Sequence, residues 1–123
     1  MMPAAVSIDA YLDRRPRPGY NCLDFTREVW SGLFGDEDVR RRLDELCAGV
    51  HAEDGHVVLG PVRGFRKLPR PESPCFVVMQ RTRTQPHVGI FYNGRILHLK
   101  ETGVEYQPLS VAQRYFTKIG FYR

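Results

Sequence analysis

The sequence lacks several features that would place it in a class at once. None of its apolar runs approaches the length of a membrane span. Its N-terminus, MMPAAVSIDAYLDRR, lacks the basic-then-apolar order of a secretory signal, so we expect a chain that folds in the cytosol. It contains neither an internal repeat nor a low-complexity segment.

Cysteine is also scarce, and its pattern argues against a disulfide-stabilised protein. The three cysteines (Cys22, Cys47 and Cys75) are odd in number and far apart, so each must be interpreted separately. The 123 residues suffice for one domain with one modest core, and 42% hydrophobic and 26% charged residues are typical of globular proteins. The net charge of +4 favours anionic surroundings such as nucleic acid, a cell-wall polymer or an acidic partner.

The most informative segment is PHVGIFYNGRILHL, residues 86–99, which predicts a β-hairpin. Asn93 and Gly94 both accept the positive φ angles of a two-residue turn, and apolar residues flank them on both sides. A turn at this dipeptide pairs Tyr92 with Arg95 and sets the register of the two strands.

The predicted register brings two histidines together. His98 falls opposite Gly89, which is two residues from His87. Because residues two apart on a strand share a face, we predict that both imidazoles lie on one face of the hairpin, with the glycine between them.

Apolar residues at helical spacing predict that helices precede the sheet. The first covers residues 6–14 with Ser7 as its cap, the second follows the cap Asn21 and ends at Gly35, and the third opens at the acidic residues 36–38. Their expected buried residues are Ile8, Tyr11 and Leu12; Cys22, Phe25, Val29, Trp30 and Leu33; and Val39, Leu43, Leu46 and Val50.

Strand patterns dominate the second half of the chain. HVVLG at 56–60 suggests a short strand, and we expect the rest of 51–74 to be loop. Further strands are predicted at 75–80, 102–106 and 119–122, with a helix capped by Ser110 over 110–116. The order predicts a single α+β domain over 1–123, with a lead-in at 1–20, helices at 21–50, a loop-rich part at 51–74 and a sheet at 75–123.

Cys22 is the sharpest candidate for chemistry. The first turn of a helix is expected to lower the pKa of a thiol, because unpaired N–H groups stabilise negative charge there. A nearby imidazole can take the thiol proton and return it to a leaving amine, and a third polar group can orient that imidazole. Cys22, His87 and His98 form such a set.

Three other interpretations of these residues remain open. Cys22 could be a small buried apolar residue, with both histidines as satisfied surface groups. Cys47, His51, His56 and Cys75 could bind zinc, although their spacing matches no familiar knuckle. Basic residues could form a nucleic-acid patch or hold another anionic partner, although no aromatic-basic motif accompanies them; they are Arg63, Arg66, Lys67, Arg70, Arg81 and Arg83. The Arg40–Arg42 run is more typical of a solvated helix face.

NCLDF at 21–25 and the hairpin at 86–99 together resemble the NlpC family of papain-like cysteine peptidases. The resemblance implies a papain-like fold, with Cys22 as nucleophile, His87 as general base, His98 as the orienting residue and an oxyanion hole that includes the Cys22 amide. It suggests Tyr20, with Asn21 and Gly89, as residues that line the cleft. The family cleaves amide bonds, commonly in bacterial cell-wall stem peptides, and needs no cofactor or metal.

This sequence departs from the common family pattern at Asn21, Leu23 and residues 71–74. The departures resemble short members found among bacteriophage and prophage tail proteins. The resemblance therefore implies a virion protein that is made in the bacterial cytoplasm, with cell-wall peptide as substrate and other tail or baseplate proteins as partners. The alternatives are an inactive structural component of the tail tip on the same fold and, more remotely, a small-molecule amidase or acyltransferase. Binding of nucleic acid is not expected.

Overall fold

A computed structural model of the chain describes residues 7–36, 38–50, 62–81 and 86–123. The described residues form a mixed α+β architecture, with two longer helices before an antiparallel sheet. Their elements in chain order are a 3-10 helix at Ile8–Tyr11, α1 at Cys22–Phe34, α2 at Val39–Val50, β1 at Lys67–Leu68, β2 at Cys75–Gln80, β3 at His87–Tyr92, β4 at Arg95–Lys100, β5 at Gly103–Pro108, α3 at Leu109–Tyr115 and β6 at Lys118–Tyr122.

The six strands form one sheet in the order β1-β6-β2-β3-β4-β5. The C-terminal strand β6 lies between β1 and β2 and runs antiparallel to both. Strand β1 corrects the expectation of loop at Lys67 and Leu68, because these two residues gain their strand conformation by pairing with Tyr122 and Phe121. The predicted strand at 56–60 lies outside the described residues.

The hairpin prediction is confirmed in its turn and register. Tyr92 pairs with Arg95, and the ladder continues through Phe91 with Ile96. Asn93 has a φ of 51°, which this residue type tolerates better than most.

Two apolar clusters cover the two faces of the sheet. The first cluster joins α1 and α2 to one face, where Trp30 stacks on Phe76 with ring centroids 4.1 Å apart. The second cluster lies on the other face, where Phe91 and Ile96 pack near Phe116, which follows α3. Because side chains alternate along a strand, β3 and β4 contribute to both clusters.

Helix α1 forms as the sequence predicts. Its N-cap is Asn21, and it ends at Gly35, whose φ of 66° is the left-handed conformation that glycine adopts without strain. In α2 the predicted residues Val39, Leu43 and Leu46 are buried, while the side chain of Val50 lies outside the described residues.

Two local predictions are wrong. Ser7 does cap the first helix, but this helix is a single 3-10 turn, and Leu12 is 40% exposed because the turn ends before it. Ser110 is not the cap of α3, since the helix already begins at Leu109 after Pro108. No helix among the described residues is long and apolar enough to cross a membrane.

Candidate active site

Cys22 is the first residue of α1, and a complete capping box fixes this helix end. The Asn21 side-chain oxygen accepts hydrogen bonds from the backbone N–H of Leu23 at 3.0 Å and of Asp24 at 3.3 Å. In return, the Asp24 carboxylate accepts a hydrogen bond from the Asn21 N–H at 2.9 Å. This reciprocal pair satisfies donors that a helix start leaves unpaired, so it determines where Cys22 sits.

Cys22 is half-buried, and its thiol lies beside strand β3 at Val88. Burial raises its pKa, and hydrogen bonds with the backbone of Val88, Leu23 and Cys22 lower it by less. The expectation that the helix start leaves a thiol with a lowered pKa is therefore wrong, because the cost of burying a charged sulfur outweighs the stabilisation by N–H groups. At neutral pH the resting Cys22 is a neutral thiol.

Buried Thr26 connects the start of α1 to strand β3. Its hydroxyl lies 2.7 Å from the carbonyl oxygen of Cys22 and 3.4 Å from that of Val88. Val88 directly follows His87, so this contact brings the nucleophile candidate close to the backbone beside the base candidate.

The two histidines of the hairpin are in direct contact, as their predicted common face requires. His87 Nε2 lies 2.7 Å from His98 Nδ1, and the ring centroids are 4.9 Å apart. Nε2 of His87 is thereby occupied, which leaves Nδ1 as the nitrogen that could exchange a proton with another group.

Gly89 provides the room for this contact. A Cβ atom at this position would lie 2.8 Å from the carbonyl oxygen of Leu97 and 2.9 Å from Cβ of His98. Both distances are shorter than a normal carbon contact, so the close approach of β3 and β4 beside the imidazoles requires a glycine.

His98 is completely buried, which corrects the alternative that both histidines are surface groups. Its Nε2 lies 2.9 Å from the side-chain nitrogen of Gln107 on β5. The ring of Phe116 stacks on His87, with centroids 5.8 Å apart and planes 10° from parallel, and also borders His98. The imidazole pair is therefore shielded by an aromatic ring and hydrogen-bonded at both ends of His98.

Burial also controls the charge of the pair. Burial, with a smaller contribution from the positive charge of Lys100, lowers the pKa of His87 to about 4. Burial, with smaller contributions from His87 and Lys100, lowers the pKa of His98 to about 3. Both rings are consequently neutral near pH 7, and each carries a single N–H.

An open cleft of about 440 Å³ lies beside the imidazole pair. His87 and Phe116 form part of its wall, so the base candidate borders a space that a ligand could enter. Its other described lining residues are Arg81, Lys100, Glu101, Thr102 and Tyr115. Cys22 is not among the residues that line this cleft.

The structure brings two of the three predicted catalytic residues into direct contact. In the described part of the chain, no hydrogen bond joins the sulfur of Cys22 to a ring nitrogen of His87. Cys22 packs against the first cluster, whereas both imidazoles contact Phe116 of the second cluster. The helix that carries Cys22 and the strand that carries His87 approach each other at the start of β3, next to Val88.

The predicted cleft residues have structural contacts of other kinds. The Tyr20 hydroxyl donates to Glu28 at 2.7 Å, and burial together with this carboxylate raises the pKa of Tyr20 well above its ordinary value. Asn21 caps α1, and Gly89 is buried between the strands. None of these three belongs to the described lining of the cleft beside His87.

The other candidate sites receive little support from the described residues. No group of three potential metal ligands occurs among them, and the predicted zinc ligands His51 and His56 lie outside them. Arg41 forms ion pairs with Asp38 and Glu45, in agreement with a solvated helix face.

The basic residues proposed as a patch include several that are engaged within the protein. Arg66 pairs with Glu72 at 3.3 Å, and Arg81 Nη1 donates to the Tyr115 hydroxyl at 3.0 Å. Arg83 lies outside the described residues.

No protein-family model matches the sequence, and a search of the curated proteins finds no match either. The interpretation of the site therefore depends on its motifs and its geometry.

Gln107 and Phe116 contact the imidazole pair, and the sequence analysis missed both. Gln107 lies on a strand whose residues alternate in direction, and Phe116 follows a short helix far along the chain from His87. The one available signal was register: extending the antiparallel pattern to β5 pairs His98 with Glu105, which puts Gln107 one diagonal step away.

Proposed function

We propose that this chain is a papain-like cysteine hydrolase of the NlpC type, which cleaves amide bonds in bacterial cell-wall peptides as part of a phage or prophage tail. The substrate and the tail setting come from the resemblance of the two motifs to that family. Cys22 is the nucleophile, His87 the general base and His98 the residue that orients His87.

The 2.7 Å contact between His87 and His98 carries the proposal. The two imidazoles form a buried, oriented pair, and His87, its outer ring, borders a cleft. The strand that carries His87 contacts the helix that begins with Cys22. A purely structural role of the histidine pair would not explain why a capped helix start with a thiol, Cys22, lies beside Val88, the residue that follows His87.

The chemistry follows from neutral reactants. As the Cys22 sulfur attacks the amide carbon, its proton passes to Nδ1 of His87, and the resemblance assigns stabilisation of the developing oxyanion to the Cys22 backbone N–H. The C–N bond then breaks, and His87 gives the proton to the leaving amine. Water attacks the thioester with His87 again as base, which releases the carboxylic acid and restores the thiol.

The raised pKa of Cys22 and the lowered pKa of His87 favour this general-base mechanism over a preformed thiolate–imidazolium pair. Burial penalises both charges of such a pair, so proton transfer accompanies attack. The thiol packs with the first cluster and the imidazole pair with the second, so this mechanism requires the two groups to come together when substrate binds.

The test is turnover of purified cell-wall peptides, with new amino groups detected by mass spectrometry. We expect Cys22→Ala to abolish turnover and His87→Asn to reduce it roughly a hundredfold or more, since general acid–base catalysis contributes that much. Cys47→Ala is the matched control, because this thiol is also half-buried and its pKa is raised to about 11. Turnover that survives Cys22→Ala at the wild-type rate would refute the catalytic role.

A structural tail component is the second candidate, and the missing hydrogen bond between Cys22 and His87 in the described residues favours it. In that case the imidazole pair serves packing only. Virions that carry Cys22→Ala would then infect as well as wild type, and no variant of the chain would release amines from cell-wall peptides.

A further inference from the structure

The side chain of Gln107 contacts His98, the more deeply buried ring of the imidazole pair. Gln107 is half-buried on β5, and its side-chain nitrogen lies 2.9 Å from Nε2 of His98. His98 is completely buried, so among the described residues its two ring nitrogens contact only His87 and Gln107. These two contacts determine where the single proton of a neutral ring resides.

We propose that Gln107 is a positioning residue whose side-chain amide selects the ring nitrogen that carries the proton in His98 and, through His98, in His87. An amide N–H only donates, so Nε2 of His98 must accept and its proton must reside on Nδ1. His98 then donates to Nε2 of His87, which places the His87 proton on Nδ1.

A half-turn of the Gln107 amide reverses the tautomer of both rings. Its oxygen would then accept from Nε2–H of His98, and Nδ1 of His98 would accept from Nε2–H of His87. In this exchange the shared proton moves from Nδ1 of His98 to Nε2 of His87. His87 releases its Nδ1 proton to water, and water supplies one proton to Nε2 of His98, so no net proton is gained or lost. Each ring therefore keeps one proton.

Only the reversed arrangement leaves Nδ1 of His87 free to accept a proton. This consequence rests on the proposed function, in which Nδ1 receives the thiol proton of Cys22. The arrangement with the amide nitrogen toward His98 is then a resting form, and rotation of one amide converts it into the form that can act as a base.

The tautomers can be read directly from the ¹⁵N chemical shifts of the imidazole nitrogens, which distinguish protonated from bare nitrogen. At a pH of about 8, above the ordinary histidine pKa of about 6.5, both rings are neutral. In the wild-type protein we expect Nδ1–H in both rings. In Gln107→Glu, whose carboxylate only accepts, we expect Nε2–H in both.

Two further variants separate positioning from mere packing. Gln107→Met keeps the length of the side chain but removes the polar atoms, so we expect signals of both tautomers. Glu105→Gln removes a charge from the residue paired with His98, which does not hydrogen-bond its ring, and should leave the wild-type tautomers unchanged. Wild-type tautomers in both Gln107 variants would overturn the proposal, as would Nε2–H in the wild-type rings.

The same variants distinguish this proposal from the proposed function. If the tautomers change as expected while no variant shows Cys22-dependent turnover, the positioning role stands and the catalytic role fails. If both hold, Gln107→Met should raise kcat above the wild-type value, because it increases the share of molecules in which Nδ1 of His87 is free. KM should change little, since Gln107 is not among the described residues that line the cleft.

Discussion

The buried imidazole pair should make the protein sensitive to mild acid. The unfolded chain protonates histidine near pH 6.5, whereas burial lowers the pKa of His87 to about 4 and that of His98 to about 3. Below about pH 6.5 the unfolded state therefore binds more protons than the folded state. Stability contributed by the neutral pair is complete above this pH and is lost as the pH falls toward the folded-state values.

The size of the effect can be worked out at a pH of about 5, where the folded pair is still neutral. The cost then comes only from protonation of the unfolded chain, so it does not depend on how the two coupled rings share a proton. Between pH 7 and 5 it amounts to about 2 kcal/mol for each histidine and about 4 kcal/mol for the pair. That is a large part of the stability of about 5–15 kcal/mol that is usual for a domain.

The assay is denaturation by guanidinium chloride at both pH values, followed by the fluorescence of Trp30. This residue is the single tryptophan, is 6% exposed and stacks on Phe76, so its emission reports loss of the first cluster. Carboxylates titrate mainly below this pH range and contribute little.

The matched control is the double variant His87→Asn with His98→Asn. Its absolute stability will be lower, but the difference between the two pH values should shrink by about 4 kcal/mol relative to wild type. A wild-type protein that loses less than about 1 kcal/mol, or a double variant with an undiminished loss, would refute the assignment of a buried neutral pair.

Two substitutions test the geometry that supports the site. Gly89→Ala should cost about 1–3 kcal/mol and change the His98 resonances, because the added Cβ meets Leu97 and His98 at under 3 Å; an unchanged spectrum would contradict this packing. Asn21→Ala should cost about 1 kcal/mol through loss of the helix cap, measured by the same denaturation, whereas Asn21→Asp keeps an acceptor and should cost far less. Equal losses for the two Asn21 variants would show that the cap is not the cause.

The parts of the fold that were predictable are those that short-range patterns encode. Helical spacing identified α1 together with its cap and its terminal glycine, and the Asn93-Gly94 turn identified the register of β3 and β4. The same register predicted the common face of the two histidines. The short strand β1 was missed because its two residues form a strand only when β6 returns to pair with them.

The sequence by itself determined the position of Cys22 at a helix start and the pairing of His87 with His98, because both depend on residues close together along the chain. Only the tertiary structure decided the charges of these groups and their outer contacts. Burial raises the pKa of the thiol and lowers that of both imidazoles, and burial depends on how the helices pack on the sheet. Gln107 reaches His98 through the pairing of β4 with β5, and Phe116 covers His87 because α3 returns across the same face.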